Sequence, residues 1–177
     1  GTDQMTARAL RRHLDSDADE FPRDVMELIN YFREPEPNQY VRAIPGEGTH
    51  VPVWILGSSL FGAQLAAYLG LPYLFASHFA PDQLDLALQV YREQYQPSAR
   101  HPVPYAGAAV NVFAADTDEE GRILMSSMQQ QFIALRKGAP GPLMPPVSDT
   151  ADIGTPTELA QVNHALRESA VGSPESV

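Results

Sequence analysis

The sequence contains no cysteine. That excludes disulfides, thiolate nucleophiles and zinc–thiolate sites, and it suits a reducing compartment such as the cytoplasm. No uninterrupted apolar run reaches the roughly 18 residues that a bilayer-spanning helix needs, and no secretory pattern is expected at the first residues. Basic residues are scarce: 12 Lys and Arg stand against 22 Asp and Glu, a formal net charge of −10. Such a balance argues against nucleic acid or an anionic membrane as partner, although an acidic surface is also ordinary for a soluble bacterial-type protein. Several chemical signatures are missing as well. There is no Walker loop, no Gly-x-Gly-x-x-Gly and no Gly-x-Ser-x-Gly elbow. His13, His50, His101 and His164 are scattered without HExxH or His-x-His spacing, so no metal site is expected. A Ser-His-Asp triad can be drawn only by arbitrary choice.

What is present is globular in composition. The 177 residues are 44% hydrophobic and 19% charged, enough for one ordinary core, and a single domain over 1–177 is expected. Residues 4–14 place Met5, Leu10 and Leu14 among Arg8, Arg11 and Arg12, a short helix with a basic face, and Asp15 to Glu20 is an acidic linker. In FPRDVMELINYF, the residues Phe21, Val25, Leu28, Ile29 and Phe32 recur at helical spacing. Pro35 and Pro37 end that helix, and Pro45 to His50 is a turn-rich approach to the first strand. Val51–Leu56 lacks alternation and predicts a strand buried on both faces, with Trp54 in the core. Tyr73–Ser77 predicts a second strand after the Gly70-Leu71-Pro72 stop. Asp82–Tyr95 predicts a helix with Leu84, Ala87, Leu88 and Tyr91 inward, and Pro104–Ala115 a third strand. A helix over 117–137 follows, then a Pro/Gly-rich excursion over 138–156, either a lid or a plain linker. Thr157–Ala170 predicts a last helix with Leu159, Val162 and Leu166 inward. Strand–helix alternation of this kind makes an α/β fold with a parallel sheet.

Gly1-Thr2-Asp3-Gln4 reads as a loop entering a helix. At the other end Ser173, Pro174 and Glu175 announce a helix start: a cap, a first-turn proline and an acid that suits the dipole. The expectation is an internal fragment of a longer chain.

The stretch VPVWILGSSLFGAQLAAYLGLP carries the most specific chemistry. A strand hands over through Gly57-Ser58-Ser59 to a helix whose first N–H groups are unpaired and lie at the positive end of the macrodipole. The hydroxyls of Ser58 and Ser59, with the N–H groups of residues 58–60, Leu60 included, suit a phosphate; a simple Ser59 helix cap is the alternative. Gly57 permits close backbone approach under either reading. His78 follows the second strand in YLFASHFAP, where it either contacts a cofactor and donates a proton or is an unpartnered loop histidine. Asn111 interrupts the apolar AAVNVFAA, either knitting two strands together or reaching into a site. Asp118, Glu119 and Glu120 read as a solvated helix start.

In this order, VPVWILGSSLFGAQLAAYLGLPYLFASHFAP, ALQVYREQYQPS, VNVFAADTDEEG and VGSPESV resemble the bacterial luciferase-like flavin monooxygenases, the alkanal monooxygenase-like members most nearly. The resemblance runs the length of the chain. It implies an α/β fold that is part of a TIM (β/α)8 barrel, covering about strands 5–7 with their helices and a lid-like insertion, with strands 1–4 and strand 8 outside the chain. It implies reduced FMN as cosubstrate and O2 oxidising a small organic substrate such as an aldehyde. Other implications are a flavin reductase as supplier, a homo-oligomer as full-length protein, and a fragment inactive by itself. By resemblance Gly57, Ser58, Ser59 and Leu60 hold the FMN phosphate, Ala76 and Ser77 face the isoalloxazine, and His78 is the candidate catalytic residue. Gly62 stands where the luciferase branch has a further hydroxyl. Deazaflavin relatives share the fold, and a non-catalytic flavin-binding protein on a shortened barrel is the alternative function.

Overall fold

The computed structural model describes residues 20–177. The expected helix over 4–14 and nearly all of the acidic linker lie outside the described residues. The chain divides into two compact units, Gly1–Val53 and Trp54–Val177.

In the first unit, helix α1 (Phe21–Tyr31) forms where the periodicity places it, with a proline in its first turn. Val25 is buried, while Phe21 and Leu28 of the expected inner stripe are exposed. The Pro45–His50 turn folds back on the helix end: Gly48 and His50 donate backbone N–H bonds to the carbonyls of Arg33 and Phe32, both at 2.9 Å.

The second unit carries the βα succession. Strand β1 (Ile55–Gly57) leads through Ser58 and Ser59 into α2 (Leu60–Leu69), an Ala-rich helix that Gly70 ends in the left-handed conformation at φ 60°. Then come β2 (Tyr73–Phe75), a 3-10 turn (Pro81–Gln83), α3 (Leu84–Gln94), β3 (Ala106–Ala108), β4 (Asn111–Ala114), α4 (Asp118–Arg136), a 3-10 turn (Thr150–Asp152), α5 (Pro156–Ala165) and β5 (Ser169–Gly172). Among the described residues every pairing is parallel. Ile55, Tyr73 and Ala106 are in register across β1-β2-β3, and Asn111 pairs with Ser169 across β4-β5. The core lies between the strands and the helices. Ile55, Tyr73 and Phe75 are buried against Ala63, Ala66 and Ala67 of α2 and Ala87 and Tyr91 of α3. A second cluster joins Ile133 of α4 to Val162 and Leu166, with Met128 and Phe132 packed against it.

Four sequence expectations are corrected. The first strand is shorter than Val51–Leu56 and is buried on one face only: Leu56 is 59% exposed, and Trp54, expected in the core, is 42% exposed and meets Tyr105 edge-on at 5.2 Å. The helices cover one side of these strands, and the other side carries the exposed Leu56, Val110 and Val112. The expected single strand Pro104–Ala115 is two: at Ala109 the chain leaves β2 as partner, and from Asn111 it pairs with β5. The final helix, expected over Thr157–Ala170, stops at Ala165, and Ser169–Gly172 is strand β5. The apolar helical period runs on past Leu166, so periodicity could not see the β4 partner that claims these residues. Lastly, Asp118 is more than a solvated helix start, as the site geometry makes plain.

The 138–155 stretch has no α-helix or strand. It is held along α4 by two bonds: the Val147 N–H donates to Ser126 Oγ at 2.8 Å, and Gln130 Nε2 donates to the Pro145 carbonyl at 2.9 Å. Capping boxes start both flanking helices, Thr117 with Glu120 and Thr155 with Glu158.

Candidate functional site at the C-terminal strand ends

Parallel strands deliver their following turns to one end, and three of the candidate segments meet there. The Ala76 N–H donates to the Gly57 carbonyl at 2.9 Å, which ties the turn after β2 to the turn after β1. The His78 N–H donates to the Ala109 carbonyl at 2.8 Å, and Asn111 Nδ2 donates to the His78 carbonyl at 3.0 Å and reaches Ser169 Oγ at 3.5 Å. Asn111 therefore knits β4 to β5 and to the β2 turn, the structural one of its two expected roles.

Ser59 occupies the N-cap of α2 in extended backbone, φ −138° and ψ 165°, yet its hydroxyl caps nothing. Among the described residues neither the Ser58 nor the Ser59 hydroxyl has a hydrogen-bond partner, and Ser59 is exposed. Plain helix capping, the alternative on sequence, does not describe this turn. The first N–H groups of this ten-residue helix are not capped by the Ser59 side chain, and a helix start of this kind has the chemistry to receive an anion. Gly57 and Gly62 face each other across the start of the helix; a Cβ on either would meet the other's Cα at 3.7–3.8 Å, ordinary van der Waals contact.

Beneath the turn stands Tyr73, fully buried. Its hydroxyl lies 3.5 Å from the Gly57 carbonyl and 3.4 Å from the Ser59 carbonyl, and burial pushes it up to a pKa of about 12, so it remains a donor. Sequence reasoning treated Tyr73 as one more apolar strand residue; a tyrosine opening a buried strand was the available signal, because a buried hydroxyl needs a partner.

The Ser77 hydroxyl is buried and donates to the Ala109 carbonyl at 2.7 Å, so its proton is used within the fold. Ala76 is half-buried and offers only its small side chain. His78 differs: its Nδ1 is buried and has no hydrogen-bond partner. A buried ring nitrogen left unpaired is costly.

The turn after β5 is already filled by the protein's own anion. Asp118 Oδ1 accepts the Ser173 N–H at 2.7 Å, and the hydroxyls of Ser176 and Ser173 also bond this carboxylate and help hold it below its ordinary range. A shallow depression lined by Ala115, Asp116, Glu120, Ile123 and Leu124 contains none of the expected site residues.

Comparisons with known proteins agree with one another. The family described as luciferase-like monooxygenase matches residues 6–177. A protein of Escherichia coli (strain K12) named luciferase-like monooxygenase is 50% identical over 177 residues, all of this chain and 53% of that protein. The uncharacterized protein YvbT of Bacillus subtilis (strain 168) is 50% identical over 179 residues, again all of this chain and 53% of that protein. Among solved structures, the crystal structure of apo-MsnO8 superposes with a TM-score of 0.75 at 23% identity, covering 99% of this chain and 53% of that one. The chain thus spans about half the length of the curated relatives it matches.

Proposed function

The chain belongs to the luciferase-like monooxygenase family, and from that premise we propose that it is the later half of an FMN-dependent monooxygenase that oxidises a small organic substrate such as an aldehyde with O2. One observation carries the cofactor assignment: the paired, unengaged hydroxyls of Ser58 and Ser59 at the open N-terminus of α2. They suit the phosphate of FMN, and the competing turn after β5 is occupied by Asp118.

In this reading the strands form one run of a TIM barrel. Support comes from the stagger. β3, Ala106–Ala108, pairs with β2, and β4, Asn111–Ala114, a few residues further along the chain, pairs with β5, a stagger of the kind that closing a barrel requires. The exposed apolar face with Leu56, Val110 and Val112 is what a barrel fills with inward side chains from its remaining strands. The run would then include the last barrel strand as β5, one more than the sequence resemblance implied.

When bound, reduced FMN supplies the electrons that activate O2. The chain's own residues divide the remaining work. Ser58, Ser59 and the N–H groups through Leu60 bind the phosphate, with Gly57 leaving room. Ser77 spends its hydroxyl proton on Ala109, which fixes the turn that carries Ala76 and His78, and Ala76 leaves a small wall for the ring system. His78 is the candidate catalytic residue, at the end of the β2 turn, with its Nδ1 buried and without a hydrogen-bond partner. A flavin reductase supplies the reduced cofactor to a cytoplasmic homo-oligomer.

The test is turnover of the full-length polypeptide with reduced FMN, O2 and a long-chain aldehyde. Formation of the carboxylic acid supports the proposal. Flavin binding with peroxide as the sole product across many aldehydes would leave a flavin-binding protein without this chemistry, and no flavin binding at all would remove the cofactor assignment.

A further inference from the structure

We propose that Tyr73 is the positioning residue of the Ser58–Ser59 turn, the group that aims the turn's N–H donors at a bound phosphate. The argument starts from peptide geometry. In a trans peptide the C=O of one residue and the N–H of the next point in opposite directions within one plane. The Tyr73 hydroxyl lies within reach of two carbonyls, Gly57 at 3.5 Å and Ser59 at 3.4 Å, which bracket Ser58. The hydroxyl has one proton to share between these two carbonyls, each at the long end of hydrogen-bond distance; holding either carbonyl toward the core turns its partner N–H, that of Ser58 or Leu60, to the opposite side. The Ser59 side chain, exposed at the same turn, makes no cap hydrogen bond. The Gly57 carbonyl has a second tie, the Ala76 N–H at 2.9 Å. The plane between Ser59 and Leu60 has the hydroxyl of Tyr73 as its side-chain tie.

The hydroxyl is not needed for packing. The ring is fully buried, and Cε2 lies 3.6 Å from where a Cβ on Gly62 would stand, so phenylalanine would fill the same space. Tyr91, also fully buried, provides the contrast. Its hydroxyl donates to the Leu71 carbonyl at 2.8 Å and accepts the Tyr105 N–H at 3.1 Å, which ties connections away from the turn.

The proposal rests on the reading that the phosphate sits on the Ser58–Ser59 turn. It is tested by measuring FMN and riboflavin affinities of the full-length protein as wild type, Tyr73→Phe, Tyr91→Phe and the double variant Ser58→Ala with Ser59→Ala. Riboflavin lacks the phosphate, so the FMN-to-riboflavin affinity ratio isolates the phosphate's share. Tyr73→Phe is expected to lower that ratio roughly three- to tenfold, the range for one modest hydrogen bond, with riboflavin affinity unchanged. Tyr91→Phe is expected to lower the melting temperature and leave the ratio alone. An unchanged ratio in Tyr73→Phe while the serine variant loses it would overturn the role of Tyr73 and leave the phosphate reading standing. An equal fall in both tyrosine variants would also overturn it, since the effect would then be general loosening. Unchanged ratios in every variant, the serine pair included, would remove the phosphate reading and this role with it.

Discussion

The carboxylate of Asp118 accepts the backbone N–H of Ser173 at 2.7 Å and so fastens the first turn of α4 to the end of β5, 55 residues further along the chain. Gly172 makes the approach possible. It sits at φ 140°, and a side chain there would strike the same carboxylate. Replacing Asp118 by alanine leaves the Ser173 N–H and two serine hydroxyls without their anion. The expected result is a melting temperature lower by several degrees, with Asp118→Asn between alanine and wild type because one acceptor oxygen remains. Thermal denaturation followed by circular dichroism checks it.

Two glycines inside helices should respond in opposite ways to alanine. A Cβ at Gly121 would stand 2.6 Å from the Gly172 nitrogen and 2.9 Å from the Phe113 carbonyl oxygen, both backbone atoms that cannot yield cheaply. Gly121→Ala is expected to cost about 1–3 kcal/mol despite the better helix propensity of alanine. A Cβ at Gly62 meets nothing closer than 3.6 Å, so Gly62→Ala should be stabilising by up to about 1 kcal/mol. Denaturant midpoints of the two variants are the measurement.

Acid should weaken the fold through identifiable carboxylates. Glu158 is held down to about 2, first by the Lys137 ammonium and then by the N–H and hydroxyl of Thr155. Asp118 is held low by the Ser173 N–H, and Asp82 by Arg167 and His164. For such depressed groups the stabilisation is complete above the ordinary carboxylate value and is lost as pH falls. For Glu158 that window runs from about 4.5 down to about 2. The melting temperature should therefore decline through this range, and Glu158→Gln should make the decline shallower. A decline of the same steepness in that variant would assign the acid sensitivity to other groups.

Local features of this fold were legible in the sequence, and non-local ones were not. The helix expected over 117–137 formed over Asp118–Arg136, and the inner stripe of α3 was correct at Ala87 and Tyr91, because helical periodicity reports a neighbouring face. The Gly57-Ser58-Ser59 turn was legible as a strand-to-helix junction. What failed depended on partners far along the chain. Ser169–Gly172 is a strand because Asn111–Ala114 pairs with it, and nothing within SAVG signals that partner. Trp54 and Leu56 read as core because they are apolar, but helices cover one side of their strand. Asp118 looked like an ordinary acidic first-turn residue, since Ser173 is invisible from its neighbourhood in sequence. Tyr73 was hidden for the same reason: the carbonyls that give its hydroxyl a purpose belong to another strand end.

The central claim, that the Ser58–Ser59 turn holds the phosphate of FMN, is tested most directly by equilibrium binding of FMN to the full-length protein and to its Ser58→Ala, Ser59→Ala variant. The account predicts that the variant loses roughly 1–3 kcal/mol of FMN binding, the range for hydrogen bonds to a charged group, while riboflavin binding is unaffected. Equal FMN affinity in the two proteins would contradict it.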